Sequence, residues 1–151
     1  MKRGTAERPF GILLVEDNPG DVDLVGEALA GLGIPTKVSV ASSGVEALER
    51  LKRERGAQGE LRPDLIFLDL NVPRKDGREV LAELKADPEL KLIPVVVLTS
   101  SEAERDLRQA YGLHANCLVT KPVDLEEFLT CVQTTARFWL SIAKIPNPGA
   151  T

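Results

Sequence analysis

Short apolar runs of strand length recur along this chain, and stretches with apolar residues at helical spacing lie between them. The runs are residues 11–16 (GILLVE), 64–70 (DLIFLDL), 94–98 (PVVVL) and 116–119 (NCLV). Residues 36–41 (TKVSVA) alternate, as an edge strand should. A first helix is expected over 20–32, with Pro19 near its start, Val22, Val25, Leu29 and Leu32 at helical spacing, and Gly31 and Gly33 as its stop. A second spans 44–55 behind Ser42 or Ser43, and a third runs from Asp76-Gly77 to Ala86. A fourth follows Ser100 or Ser101 and carries Ala103, Leu107, Ala110 and Tyr111; the last runs from Pro122 or Asp124 to about Ala143. Residues 56–63 (GAQGELRP) read as a loop. Five strands alternating with five helices specify an α/β fold, a parallel sheet covered on both faces. Right-handed crossovers leave few topologies. The order 2-1-3-4-5 puts the first and third strands side by side at the switch point.

The 151 residues fit one domain with its own core. Its expected limits are a flexible N-terminus over 1–9, the folded domain over 10–143 and a flexible tail over 144–151. With 19 basic against 23 acidic residues, the chain lacks the basic excess that nucleic acid requires. The N-terminus has no apolar signal core, and no apolar stretch is long enough to cross a bilayer. Cys117 and Cys131 lie in apolar patterns and read as reduced thiols, so a cytoplasmic protein is expected.

Three strands end in charged signals: Glu16-Asp17 after ILLV, Asp69 after DLIFL, and Lys121-Pro122 after NCLVT. Ligands of open α/β sheets bind at the carboxyl ends of the strands. The topology therefore gathers three carboxylates and one ammonium in one crevice. Carboxylates in that number need a counter-cation, and hard oxygen ligands suit magnesium. The residues point to a magnesium site beside an aspartate that takes or transfers a phosphoryl group. Each signal is weak alone: acids at strand ends are often solvated loop residues, Thr99 can serve as a helix cap, and Lys121 can be a surface lysine. Their convergence on one sheet edge carries the reading.

The motifs LLVEDN, LDLNVPRKDG, VVVLTSS and VTKPVD, in this order and spacing, resemble the receiver domain of two-component response regulators over residues 10–142. The resemblance implies a single flavodoxin-like (βα)5 domain with an extended last helix. It implies that Asp69 accepts a phosphoryl group from the phosphohistidine of a sensor histidine kinase. Asp17 would bind Mg2+ directly, Glu16 through water, and Asn71 through its main-chain carbonyl, with Asp69 completing the protein ligands. Thr99 would donate its hydroxyl to a phosphoryl oxygen, and Lys121 would neutralise the group. A cis Lys121-Pro122 peptide is implied as well. Such a protein signals by a shift between conformations and is not an enzyme in the ordinary sense.

Leu118 stands where many receivers carry a Tyr or Phe that turns inward on activation, so the usual aromatic switch is missing. Ser101, two residues after Thr99, and Asn71 border the route of attacking water. In the last helix, Leu125, Phe128, Leu129, Val132, Ala136 and Trp139 read as the core face. Cys131, Phe138 and Ile142 form a second stripe, expected to meet a second copy. Output is expected through binding, dimerisation across the fourth helix, fifth strand and last helix, or onward phosphotransfer. DNPGDVDLV, LDLNVPRKDGREVL, ANCLVTKPVD and RFWL are similar to stand-alone response regulators of bacterial phytochromes, which implies a bacteriophytochrome kinase as partner. His114 reads as a turn residue, and KRERG (52–56) as a solvated helix end. Two rivals are an unphosphorylated adaptor with a receiver fold and a magnesium-dependent aspartyl-phosphate phosphatase. Against the latter, Asn71 occupies the position where such enzymes carry a general acid.

Overall fold

The apolar runs become five parallel strands: β1 (Phe10–Val15), β2 (Thr36–Ala41), β3 (Leu65–Asp69), β4 (Val95–Thr99) and β5 (Cys117–Thr120). They alternate with α1 (Pro19–Ala30), α2 (Gly44–Arg55), α3 (Gly77–Ala86), α4 (Glu104–Gly112) and α5 (Leu125–Arg137), in a computed structural model that describes residues 3–55 and 62–146. The sheet order is β2-β1-β3-β4-β5. Pairing of Val15 with Leu68, of Asp69 with Leu98 and of Thr99 with Thr120 brings the carboxyl ends of β1, β3, β4 and β5 to one edge.

Alternation along the strands divides the core in two. Leu13, Val15, Ile66, Leu68, Val95 and Val97 pack with Leu48 and Leu51 of α2 and Val80, Leu81 and Leu84 of α3. Ile12, Leu14, Leu65, Phe67, Val96 and Leu98 face Val25 and Leu29 of α1 and Phe128 and Val132 of α5. The central strand β3 is buried at every position, so its two faces each carry apolar side chains.

The helix starts follow side-chain chemistry. Asn18, Ser43, Asp76 and Asp124 each accept a backbone N–H from the first turn that follows: Asp21, Glu46, Arg78 and Glu127 respectively. Glu46 reaches back to the N–H and hydroxyl of Ser42, completing a capping box around α2. The fourth helix departs from expectation. Its cap is Ala103, with no side-chain bond, because Ser101 lies two residues earlier, its hydroxyl accepting from Ala103 N–H and donating to Asp106. His114 lies in the turn after α4 at φ 70°, as its sequence position suggests.

The last helix also differs. The α-helix ends at Arg137, and the chain continues through a π-helical turn, Phe138–Ile142. Phe128, Val132, Ala136 and Leu140 form the buried line. Leu125, expected in the core, is the first residue of α5 and is 61% exposed; the buried line starts one turn on, at Phe128. Trp139 is half-buried, and Leu140 takes the fully covered position. The expected loop over 56–63 lies outside the described residues except for Arg62 and Pro63. Residues expected to be flexible make specific contacts where described. Arg3 pairs with the buried Asp64 and donates to the carbonyls of Ile145 and Pro146.

Two glycines separate packing from propensity. A Cβ on Gly44 would collide with the Lys75 carbonyl, backbone atoms that cannot swing away. One on Gly26, inside α1, meets nothing within 4 Å. Gly44→Ala is therefore expected to cost about 2–3 kcal/mol, and Gly26→Ala to add about 0.5–1 kcal/mol, both read from urea unfolding midpoints.

Candidate functional site

The crevice at the carboxyl edge is organised by one ammonium. Lys121 Nζ lies 2.6 Å from Glu16 Oε1, 2.9 Å from Asp21 Oδ2 and 3.0 Å from Asp69 Oδ2. The backbone N–H of Lys121 donates to the Thr99 carbonyl at 2.7 Å, one step beyond the β4–β5 ladder. The Lys121-Pro122 peptide is not cis; no cis bond occurs among the described residues. The strand ladder alone suffices to bring the lysine over the crevice.

Glu16 is 1% exposed, and its other oxygen accepts the Asn18 N–H. Asp69 is 7% exposed, and its Oδ1 accepts the Asn71 N–H at 2.9 Å. Asp17 is exposed at the rim. Glu16, Asp17 and Asp69 each offer a carboxylate oxygen, and these oxygens lie within 4.8 Å of one another. Three hard oxygen donors, two of them buried, fit a small divalent cation such as Mg2+.

Of the other sequence-derived residues, Asn71 lines the crevice. Thr99 is buried at 1% exposure, with Ser100 on the crevice wall and Thr99 Oγ1 accepting the Ser101 N–H at 3.1 Å. Leu118 is half-buried and packs against the α2–α3–α4 side of the core. Cys131 is half-buried, Phe138 is 46% exposed and stacks edge-on against Trp139, and Ile142 is 70% exposed. The loop after β3 carries positive φ at Arg74 (57°) and Lys75 (138°), a local strain beside the acidic cluster. Its holding contacts are the Gly44 N–H on the Pro73 carbonyl and the Lys75–Glu83 ion pair.

Sequence reasoning missed Asp21. The available signal was its position in DNPGD, one helical turn after Asp17, where a first-turn acid faces the same sheet edge.

Burial pushes the Glu16 carboxyl up to about 7, aided by the neighbouring Asp69 and opposed by Lys121. At Asp69 burial also pushes upward, but bonds from Glu16, the Asn71 N–H and Lys121 outweigh it and hold the carboxyl below its usual value. The two neighbouring carboxyls are thus pushed in opposite directions, Glu16 upward and Asp69 downward. Lys121 is desolvated, yet its bonds to Glu16 and Asp21 and the charge of Asp69 keep its ammonium more firmly protonated than usual.

Glu16 ionises near 4.5 when unfolded and near 7 when folded. Its contribution is therefore fully present below the unfolded value and is lost as pH rises through the folded one. The metal-free protein is expected to lose about 2 kcal/mol between pH 5 and pH 8 from this group. Glu16→Gln flattens that slope, and magnesium at pH 8 restores stability by binding the ionised carboxylates. Urea midpoints across pH, with and without the ion, measure all three effects.

The family model of the response regulator receiver domain matches residues 12–133. The chain is 45% identical over 138 residues to the response regulator Rcp1 of Synechocystis sp., covering 91% of this chain and 94% of that protein. The crystal structure of the phosphorylated cyanobacterial phytochrome response regulator RcpA superposes with a TM-score of 0.85 at 49% identity, covering 91% of this chain and 98% of RcpA. The Mn2+-bound form of Rcp1 gives 0.82 at 45% identity, covering 91% and 99%.

Proposed function

The chain belongs to the response regulator receiver domain family and is related to phytochrome response regulators, and from that premise we propose that Asp69 is its phosphoacceptor. The observation that carries the reading is the buried Asp69 carboxylate, held by the Lys121 ammonium within the Glu16–Asp17–Asp69 cluster. An Asp69 oxygen attacks the phosphorus of a phosphohistidine. The P–N bond breaks as the O–P bond forms, and the released imidazole nitrogen takes up a proton from water. Lys121 neutralises the transferred group, and the Thr99 hydroxyl donates to one of its oxygens. Glu16, Asp17, Asp69 and the main-chain carbonyl of Asn71 would hold Mg2+, which supplies positive charge against the phosphoryl oxygens. Ser101 and Asn71 border the path of hydrolytic water.

The protein is a signalling module and not an enzyme with turnover on outside substrates. Asn71, placed where a phosphatase keeps its general acid, cannot transfer the proton. The donor is a sensor histidine kinase, and the likeness to RcpA and Rcp1 favours a bacteriophytochrome. The free thiols Cys117 and Cys131 suit a cytoplasmic setting. Phosphorylation shifts the population between two arrangements of the loop at Thr99 and of the face made by α4, β5 and α5. Leu118 lies on that face and replaces the aromatic switch by a packing change. The second reading, an adaptor that works without phosphorylation, draws on the same leucine.

Incubation with acetyl phosphate and magnesium is expected to add a single phosphoryl increment to the intact mass, lost in Asp69→Asn and with a chelator. A folded protein that never acquires the increment supports the adaptor. A homodimer through the α4–β5–α5 face, with Cys131, Phe138 and Ile142 as contacts, is part of the reading, and the exposure of Phe138 and Ile142 supports it. Phe138→Glu combined with Ile142→Glu is expected to shift the protein to a monomer in sedimentation velocity while Asp69 remains phosphorylatable.

A further inference from the structure

We propose that Asp21 is a positioning residue, holding the Lys121 ammonium over the crevice so that the lysine meets the incoming phosphoryl group. The inference rests on the reading of Asp69 as phosphoacceptor. An ammonium has three N–H donors, and here three carboxylates take them: Glu16, Asp21 and Asp69. Two of those partners have other work. The Asp69 carboxylate becomes an acyl phosphate and loses its own negative charge on forming that mixed anhydride. Glu16 sits in the carboxylate cluster with Asp17 and Asp69. Asp21 stands outside that cluster, and its carboxylate is available to Lys121 throughout.

The local structure suits a fixed anchor. The Asn18 cap accepts the Asp21 N–H at 3.1 Å, so the backbone of Asp21 is set by the first turn of α1. The Asp21 side chain is 24% exposed and the Lys121 side chain 11% exposed, which places the contact at the half-buried mouth of the crevice. Lysine is a point charge on a flexible four-carbon stem. Without a standing partner, that stem is ordered anew each time the phosphoryl group arrives, at a cost in side-chain entropy.

A double-mutant cycle tests the role. Phosphorylation by acetyl phosphate at saturating magnesium is followed by intact mass in wild type, Asp21→Asn, Lys121→Ala and the double variant. Asp21→Asn is expected to slow the reaction about fivefold, and to change the Lys121→Ala rate by less than about twofold. An unchanged rate in the single variant, or an equal loss in both backgrounds, overturns the proposal. Asn is isosteric and leaves the Asn18 cap intact; should it fail to fold, Asp21→Ser carries the same comparison.

A metal-free arm reads the lysine directly. Labelling of Lys121 by acetic anhydride, followed by peptide mass spectrometry, is expected to rise about threefold in Asp21→Asn, because a lysine stem without its anchor at the crevice mouth swings out to the reagent more often. Lys37, on β2, serves as the unchanged reference. Unchanged labelling of Lys121 overturns the proposal. If labelling responds while wild type takes up no phosphoryl group, the acceptor reading has failed, and the phosphoryl role of Asp21 falls with it.

Discussion

A single ammonium set among three carboxylates is the constraint on which the carboxyl edge of this sheet depends. Glu16 and Asp69 are buried at the ends of neighbouring strands, a placement that like charges oppose. Lys121 lowers that opposition, and the raised Glu16 carboxyl, which takes up a proton more readily than usual, lowers it further as pH falls. The arrangement remains poorly matched in charge, since three acids face one base. A buried cluster of this kind is weak evidence for stability and strong evidence for use. The β3 strand carries the compensation, for its apolar residues Leu65, Ile66, Phe67 and Leu68 are all fully covered. The rigid sheet supplies the stability, and the crevice spends part of it.

Much of this was legible in the sequence because each signal was local. The β2 strand and the α2 and α3 helices fall on their expected residues, since alternation and the caps Ser43 and Asp76 mark their limits directly. The approach of Glu16, Asp69 and Lys121 was legible through topology, because the strand order determines which strand ends are neighbours. The rest required three dimensions. Ser101 looked like a cap, but its hydroxyl turns to Asp106, which in turn pairs with Arg78 on α3. Asp21 carried no motif of its own; its importance comes from the first turn of α1 lying within reach of Lys121, the residue after β5. Leu125 shares the helical spacing of the core face yet is exposed, because spacing does not encode at which turn the buried line of α5 begins.

The Ser101–Asp106–Arg78 chain also bears on how a state at the crevice is felt elsewhere. Thr99 Oγ1 accepts from the backbone of Ser101, and Ser101 ties to the first turn of α4. Arg78 joins Asp106 to Asp76, the cap of α3, and reaches Gln109 on α4. The loop at Thr99 is thus coupled through polar contacts to two helices on the side of the sheet where Leu118 packs. With an aliphatic residue at 118, these directional bonds are a more specific link than ring rotation.

The π-helical turn after Arg137 has a consequence beyond local packing. A π-turn accommodates one residue more than the α-helix it interrupts, and each residue of helix advances the face by roughly 100°. Within the turn Leu140 still meets the core while Phe138 and Ile142 face outward, and whatever follows Ile142 is rotated relative to a continued α-helix. Loss or gain of a single residue at this point would swing the terminal segment around its axis without touching the sheet or the crevice. A single insertion or deletion there re-aims the end of the chain and leaves the sheet and its crevice as they are.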